Sequence, residues 1–212
     1  SSAASDVYKR QVNNRSLIKI GHFLLTKEYC ARDWIDTLEV VETKVILNKI
    51  VNAIVKHINN SGYDDYIIAG VDLVGTLLAS RIAFTLQAPL TYIVPEKEKN
   101  VNAHQEIDLE IEKDKKVILI TDAIVTFNTV KSAIEKNKLE NSVICIYTMF
   151  YRESDYQGCA EYVDKTFSIN NAFRIELFRK EKCTYNKTKC IASNRRLREG
   201  EDSTDESDRT QF

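Results

Sequence analysis

The stretch KVILITDAIVTFNTV, Lys116 to Val130, leaves few architectures open to this chain. Val117, Ile118, Leu119 and Ile120 form a continuous apolar run. A run without polar alternation is what a strand buried on both faces of a parallel sheet requires. Thr121 and Asp122 end it, a loop of small and hydroxyl residues follows, and Thr129 opens a predicted helix. An acidic strand tip, a hydroxyl-bearing loop and a helix start together put polar groups at the carboxyl edge of a sheet. Open α/β folds bind ligands at that edge, and a helix start offers unpaired N–H groups to anions.

The flanking sequence repeats the alternation of strand and helix. Between Val41 and Ile58, apolar residues recur at threes and fours (Ile46, Leu47, Ile50, Val51, Ile54, Val55, Ile58), which predicts an amphipathic helix. Thr43 or the residues just before it supply the cap, and NNSG at Asn59 to Gly62 stops the helix. Tyr66 to Ala69 is a core strand ending at Gly70, followed by the loop GVDLVG, a helix over Thr76 to Leu86, a turn at Pro89 and a strand over Leu90 to Val94. After the central strand, Asn128 or Thr129 caps a helix to about Asn137. Ser142 to Met149 is another buried strand, Ser154 to Gly158 a turn, and Glu161 to Ile169 holds a short strand. Phe173 to Phe178 adds an edge strand or a short helix. Upstream, Asn14 to Ile20 is read as a short helix, and Gly21 to Asp36 as irregular, with room for a short edge hairpin. The order is that of βαβ units.

Length and charge narrow the remaining choices. With 212 residues the chain can bury one good core. A net charge of -1 gives no global steering toward nucleic acid or membrane. The sequence holds no apolar run of spanning length and no signal-peptide pattern, so the expectation is cytoplasmic, with no membrane partner. The five cysteines are odd in number and widely spaced, which favours free thiols over a disulfide scaffold. Residues 1–13 read as a disordered or non-native leader. Residues 14–180 are the domain, with a hood at 14–40, a core at 41–180 and a lid at 95–114, too long and polar for an ordinary connection. Residues 181–212 read as a weakly ordered tail. Nine basic and two acidic residues from Arg174 to Arg198 give way to six acidic and one basic from Glu199 to Arg209. No fold motif supports a nucleic-acid partner there.

Three loops at strand ends now stand together: GVDLVG after Ala69, TDAIVTFNT after Ile120, and the polar stretch after Val94. Their arrangement resembles the type I phosphoribosyltransferases, and in particular the orotate branch. In that family a strand, two acids, two apolar residues and TTGG(S/T) lead into a helix and bind phosphoribosyl pyrophosphate. TDAIVTFNT, Thr121 to Thr129, falls on this motif. GHFLLTKEYCARDWID, Gly21 to Asp36, resembles the orotate enzymes' hood over the base. The likeness covers Leu17 to Phe150.

The resemblance implies roles residue by residue. Residues Ala123 to Thr129, among them Val125 and Asn128, would wrap the 5-phosphate with backbone N–H groups, and Thr126 and Thr129 would add hydroxyls. Phe127 and Asn128 stand where the family has its glycine pair, which sets a bulky ring beside the phosphate unless the ring points into the core. The acidic pair would hold the ribose hydroxyls, because a carboxylate accepts two hydrogen bonds from a diol. Here Thr121 takes the first position and Asp122 the second; on residue type alone Asp122 is equally a turn acid. Gly70, Val71, Asp72 and Gly75 fall on the pyrophosphate loop, with Asp72 either approaching Mg²⁺ through water or serving a surface turn. In the lid, Val94 and Pro95 replace an Arg-Lys pair, leaving Lys97 and Lys99 to stabilise the leaving group. Lys27 and Trp34 lie in the hood run, where Trp34 either packs over a flat base or buries in the core.

The expectation is therefore an α/β fold with a mostly parallel sheet, flanking helices and a small N-terminal hood. The implied activity is glycosyl transfer between phosphoribosyl pyrophosphate and a nitrogenous base, orotate first, with Mg²⁺ as cofactor and a homodimer as the assembly. Asp122, Lys97 and Lys99 are the candidate catalytic residues. Two other readings stay open at this point. One is a degenerate member that binds a nucleotide as a regulator or effector. The other is an interaction protein that uses the basic segment.

Overall fold

The computed structural model describes residues 18–24, 29–93, 115–151, 160–170, 177–179 and 191–192. They fall into two compact units. Residues 37–170 carry the core sheet, and residues 18–36, 177–179 and 191–192 form the other unit. The lid at 95–114, the turn at Ser154 to Gly158 and the leader lie outside the described residues, as does the tail apart from Ile191 and Ala192.

The core is a five-stranded, wholly parallel sheet with helices on both faces. Its strands are β3 (Tyr66–Val71), β4 (Leu90–Ile93), β5 (Lys116–Ile124), β6 (Val143–Tyr151) and β7 (Thr166–Asn170), in the order β4-β3-β5-β6-β7. Val117 to Ile120 are fully buried at the centre, as the apolar run requires. Helices α1 (Thr37–Glu42) and α2 (Lys44–Asn60) precede the sheet, α3 (Asp72–Leu86) joins β3 to β4, α4 (Asn128–Lys136) joins β5 to β6, and α5 (Ala160–Val163) precedes β7. In α2 the buried residues are Ile46, Ile50, Val51, Ile54 and Ile58, the stripe that its periodicity marks out. A polar tie also holds this helix to the sheet. His57 Nδ1 lies 2.7 Å from the hydroxyl of the fully buried Tyr147 on β6. Burial raises the Tyr147 pKa, which keeps the phenol neutral in that tie.

Several boundaries differ from the sequence expectation, each for a physical reason. Strand β5 does not stop at Thr121. Thr121, Ala123 and Ile124 pair with Thr148, Phe150 and Tyr151 of β6, and this ladder carries the strand four residues past the apolar run. Helix α3 begins at Asp72 rather than Thr76, so the expected loop GVDLVG is strand over Gly70 and Val71 and helix from Asp72 on. Asp72 makes the turn alone, at φ 63, and its Oδ1 accepts the Gly75 N–H at 2.7 Å. Thr43 stands at the N-cap of α2 but does not cap it; its hydroxyl donates back to the Glu39 carbonyl at 3.0 Å, closing α1. Glu161 to Val163 is helical, and β7 starts only where Thr166 meets Ile146.

Gly75 sets how closely α3 approaches the sheet. A Cβ at that position would stand 2.8 Å from the Ile120 carbonyl oxygen and 3.0 Å from the Thr121 Cα. Only glycine lets the first turn of α3 lie on the backbone of β5.

The second unit corrects the reading of its segment. Ile18 to Ile20 is not helical. Strands β1 (Ile18–Leu24) and β2 (Tyr29–Ile35) form an antiparallel hairpin from Ile18↔Ile35 to Leu24↔Cys30. Strand β8 (Leu177–Arg179) pairs with β2, and the two residues of β9 (Ile191–Ala192) run parallel to β1. Phe23, Cys30, Ala31 and Ile35 are buried there. Cys30 and Cys145 are buried, and neither is in a disulfide.

Candidate functional site

The polar residues of the motif gather where β3 and β5 end and α3 and α4 begin. Asp122 stands near the end of β5. Its Oδ2 accepts a hydrogen bond from the Thr37 hydroxyl at 2.5 Å, and its Oδ1 accepts the Ala123 N–H at 2.5 Å. Asp72, in the turn from β3 into α3, also acts on the Asp122 carboxyl and favours its charged form. Burial pushes the Asp122 pKa up, while the hydrogen bonds from Thr37 and Ala123, together with Asp72, pull the other way; burial wins. From the far side, the Thr148 hydroxyl lies 3.0 Å from the Asp122 carbonyl oxygen and 3.0 Å from that of Phe150. The Asp122 backbone is thereby anchored to β6.

The loop after β5 is short and tightly wound. Val125 and Thr126 are partly buried, and Asn128 and Thr129 are exposed on the first turn of α4. Phe127 occupies the N-cap of α4 in the left-handed conformation, at φ 57. Its ring is only 2% exposed and packs with Ile124, Val130, Ala133 and Ile134. It also meets Tyr151 edge-on, with ring centroids 5.9 Å apart. The ring beside the phosphate position, one expectation from the sequence, is therefore not what is found: the side chain turns into the core and leaves only backbone at the loop. Neither Asn128 nor Thr129 caps the helix, since the helix starts at Asn128 and makes no side-chain cap hydrogen bond. Its first N–H groups are thus open to an anion.

The other candidate residues sort by position. Gly70 and Val71 are buried in β3, and a Cβ on Gly70 would meet the Thr76 Cα at 2.5 Å. Thr121 is buried, with its hydroxyl 3.4 Å from Asp72 Oδ2. Ala123 is partly buried in β5. Trp34 belongs to the hairpin unit, where its ring lies 6.2 Å from that of Phe23. Lys27, Lys97 and Lys99 lie outside the described residues.

Sequence reading missed Thr37 and Thr148. Thr37 is 85 positions from Asp122 and no local pattern ties the two, so only the fold brings them together. The closeness of Asp72 to Asp122 did leave a trace. AGVD runs from β3 into the turn before α3 and LITD lies within β5, each closing on an acid, and the register pairs Gly70 with Ile120.

A parallel sheet with helices on both faces, a partly buried acid near the end of its central strand and an open helix start beside it define an α/β ligand-binding fold. Comparison with known proteins makes the class specific. The phosphoribosyl transferase domain matches residues 38–181. The chain belongs to this family, with the type I phosphoribosyltransferase fold. Within the family it is distantly similar to orotate phosphoribosyltransferases. It is 26% identical to that of Pyrococcus furiosus over 157 residues, covering 74% of this chain and 84% of the relative. It is 28% identical to that of Pyrococcus horikoshii over 155 residues, covering 72% and 80%. The orotate phosphoribosyltransferase structure from Aeropyrum pernix superposes with a TM-score of 0.59 at 18% identity, over 77% of this chain and 92% of that one. Leishmania donovani UMP synthase gives a TM-score of 0.62 at 21% identity over 80% of this chain, which spans 36% of that longer protein.

Proposed function

We propose that the protein transfers a phosphoribosyl group between phosphoribosyl pyrophosphate and a nitrogenous base, with orotate as the preferred base. One observation carries this reading: the β5–α4 loop keeps a left-handed turn and an uncapped helix start even with Phe127 in place of glycine. The N–H groups of that loop, with Thr126 and Thr129, hold the 5-phosphate. Asp122, already fixed by Thr37, receives the ribose. The backbone where β3 passes into α3, around Gly70, Val71, Asp72 and Gly75, faces the diphosphate. Lys97 and Lys99 supply charge to the leaving group.

The donor set agrees with a cation that arrives with the substrate. Among the described residues no cluster of three or more His, Cys, Asp or Glu side chains could cage a metal. Mg²⁺ is commonly held by one or two carboxylates together with substrate phosphates, and Asp72 can meet it through water. When bound, Mg²⁺ neutralises charge on the diphosphate.

The test is titration with phosphoribosyl pyrophosphate and Mg²⁺, followed by transfer assays over orotate and other bases. The expected outcome is saturable binding, weakened in Thr126→Ala, and turnover with orotate. Binding without turnover on any base would instead favour the regulator reading. No binding at millimolar ligand would end both.

The assembly proposed with this function is a homodimer. Helix α3 exposes Leu73 (61%), Leu77 (44%) and Phe84 (82%). At the α-helical period these three fall within roughly 40° of one another around the axis, an apolar stripe suited to a second copy. Phe84→Glu should sediment as a monomer at concentrations where the parent is dimeric. A parent that sediments as a monomer at all concentrations would remove the dimer from this reading.

A further inference from the structure

The family motif places two acids in succession on one strand, and here the first position is Thr121. The structure nevertheless brings a second carboxyl to the same place from the turn after a different strand. Gly70 of β3 pairs with Ile120 of β5. Asp72 follows two residues after Gly70, in the turn from β3 into α3, and so stands at the same end of the sheet as Asp122. The Thr121 hydroxyl lies 3.4 Å from Asp72 Oδ2, so a carboxylate oxygen stands beside the position where the motif's first acid is missing. A carboxylate accepts hydrogen bonds and donates none, so Asp72 and Asp122 together can take two O–H donors on adjacent carbons.

We propose that Asp72 acts with Asp122 as the second carboxyl of the ribose-diol contact, taking the part that position 121 does not supply. The proposal rests on the phosphoribosyl reading above. The geometry holds Asp72 ready for this task. Its Oδ1 is engaged by the Gly75 N–H at 2.7 Å and its carbonyl by the Thr76 hydroxyl at 2.5 Å. Oδ2 is the oxygen turned toward Thr121. Capping α3 is the simpler role for Asp72, and the test must separate the two. Asparagine caps as well as aspartate and tolerates the left-handed conformation. Asp72→Asn therefore keeps the turn and removes the charge.

Three ligands are titrated into parent and variant: inorganic phosphate, ribose 5-phosphate and 2-deoxyribose 5-phosphate. The parent is expected to prefer ribose 5-phosphate over the deoxy sugar. In Asp72→Asn the affinity for ribose 5-phosphate should fall about tenfold, the loss of one charge-assisted hydrogen bond. The preference for ribose should go with it, and inorganic phosphate should bind as before, which also reports that the loop is folded. If Asp72→Asn keeps the ribose preference, or the parent has none, Asp72 is a helix cap only and phosphate binding still stands. If the parent binds neither phosphate nor ribose 5-phosphate, the function proposed above fails, and the role of Asp72 fails with it.

Discussion

Asp122→Asn is expected to lower phosphoribosyl transfer by about a hundredfold, two charge-assisted hydrogen bonds at about 1.5 kcal/mol each, while making the protein more stable at neutral pH. The two effects have one cause. Burial raises the Asp122 pKa, so the folded protein resists ionising a carboxyl that the unfolded chain ionises freely. Below the unfolded pKa, near 3.9, both states hold the proton and the carboxyl carries no penalty. As pH rises past that point the unfolded chain releases its proton first. Stability then falls until the folded pKa is passed, and stays lowered above it. Asparagine has no proton to lose. It can still accept from one neighbour and donate to Thr37 or Asp72, whose oxygens accept as well. The melting temperature of the variant should therefore exceed that of the parent at pH 7, with the gap closing toward pH 3. Melting curves across that range, set beside transfer rates at pH 7, check both halves. A gap that does not change with pH would mean that Asp122 carries no buried-charge penalty. Undiminished transfer would remove it from the ribose contact.

What the sequence allowed to be read, and what it did not, follows from how local each signal is. The central strand was legible because Val117 to Ile120 are apolar without interruption, and only a strand covered on both faces needs that. Helix α2 was legible from its 3.6-residue period. The hairpin was legible only in part: Gly21 to Asp36 left room for one, but its first strand was read as helix. Ile18 and Ile20 alternate with Lys19 over too short a span to separate strand from helix, and the neighbours of the hairpin come from Leu177–Arg179 and Ile191–Ala192. Pairings over more than 140 residues leave no local trace. The site was half legible for the same reason. Asp122 and the loop hydroxyls sit in one contiguous stretch and could be named from it. Thr37 and the closeness of Asp72 to Asp122 depend on tertiary contact and register. Residue type misdirected the reading at Phe127. Phenylalanine at a glycine position implies an obstructed phosphate loop only if the ring faces the ligand, and facing is set by the core.

Phe127→Gly is expected to destabilise the protein by about 1 to 4 kcal/mol, although it restores the residue that the motif calls for. Two terms oppose each other. The left-handed backbone at φ 57 costs a non-glycine residue roughly 1 to 2 kcal/mol, which glycine would recover. Against this stands the ring, 2% exposed among Ile124, Val130, Ala133 and Ile134 and edge-on to Tyr151. Removing a buried phenyl group costs roughly 3 to 5 kcal/mol in transfer and cavity terms. The cavity term dominates because the wall of the hole is the junction of β5 and α4, which strand pairing on one side and helix packing on the other prevent from collapsing. Chemical denaturation should show the loss as a lower midpoint with an unchanged slope. Phosphate affinity at a temperature where the variant is folded should stay within a few-fold of the parent, because the ring faces away from the loop N–H groups. A variant as stable as the parent, or one that binds phosphate ten times more tightly, would show that the ring obstructs the anion instead of supporting the turn. With the ring in the core, the site tolerates Phe127 because packing holds the loop in the conformation that glycine would otherwise be needed to reach.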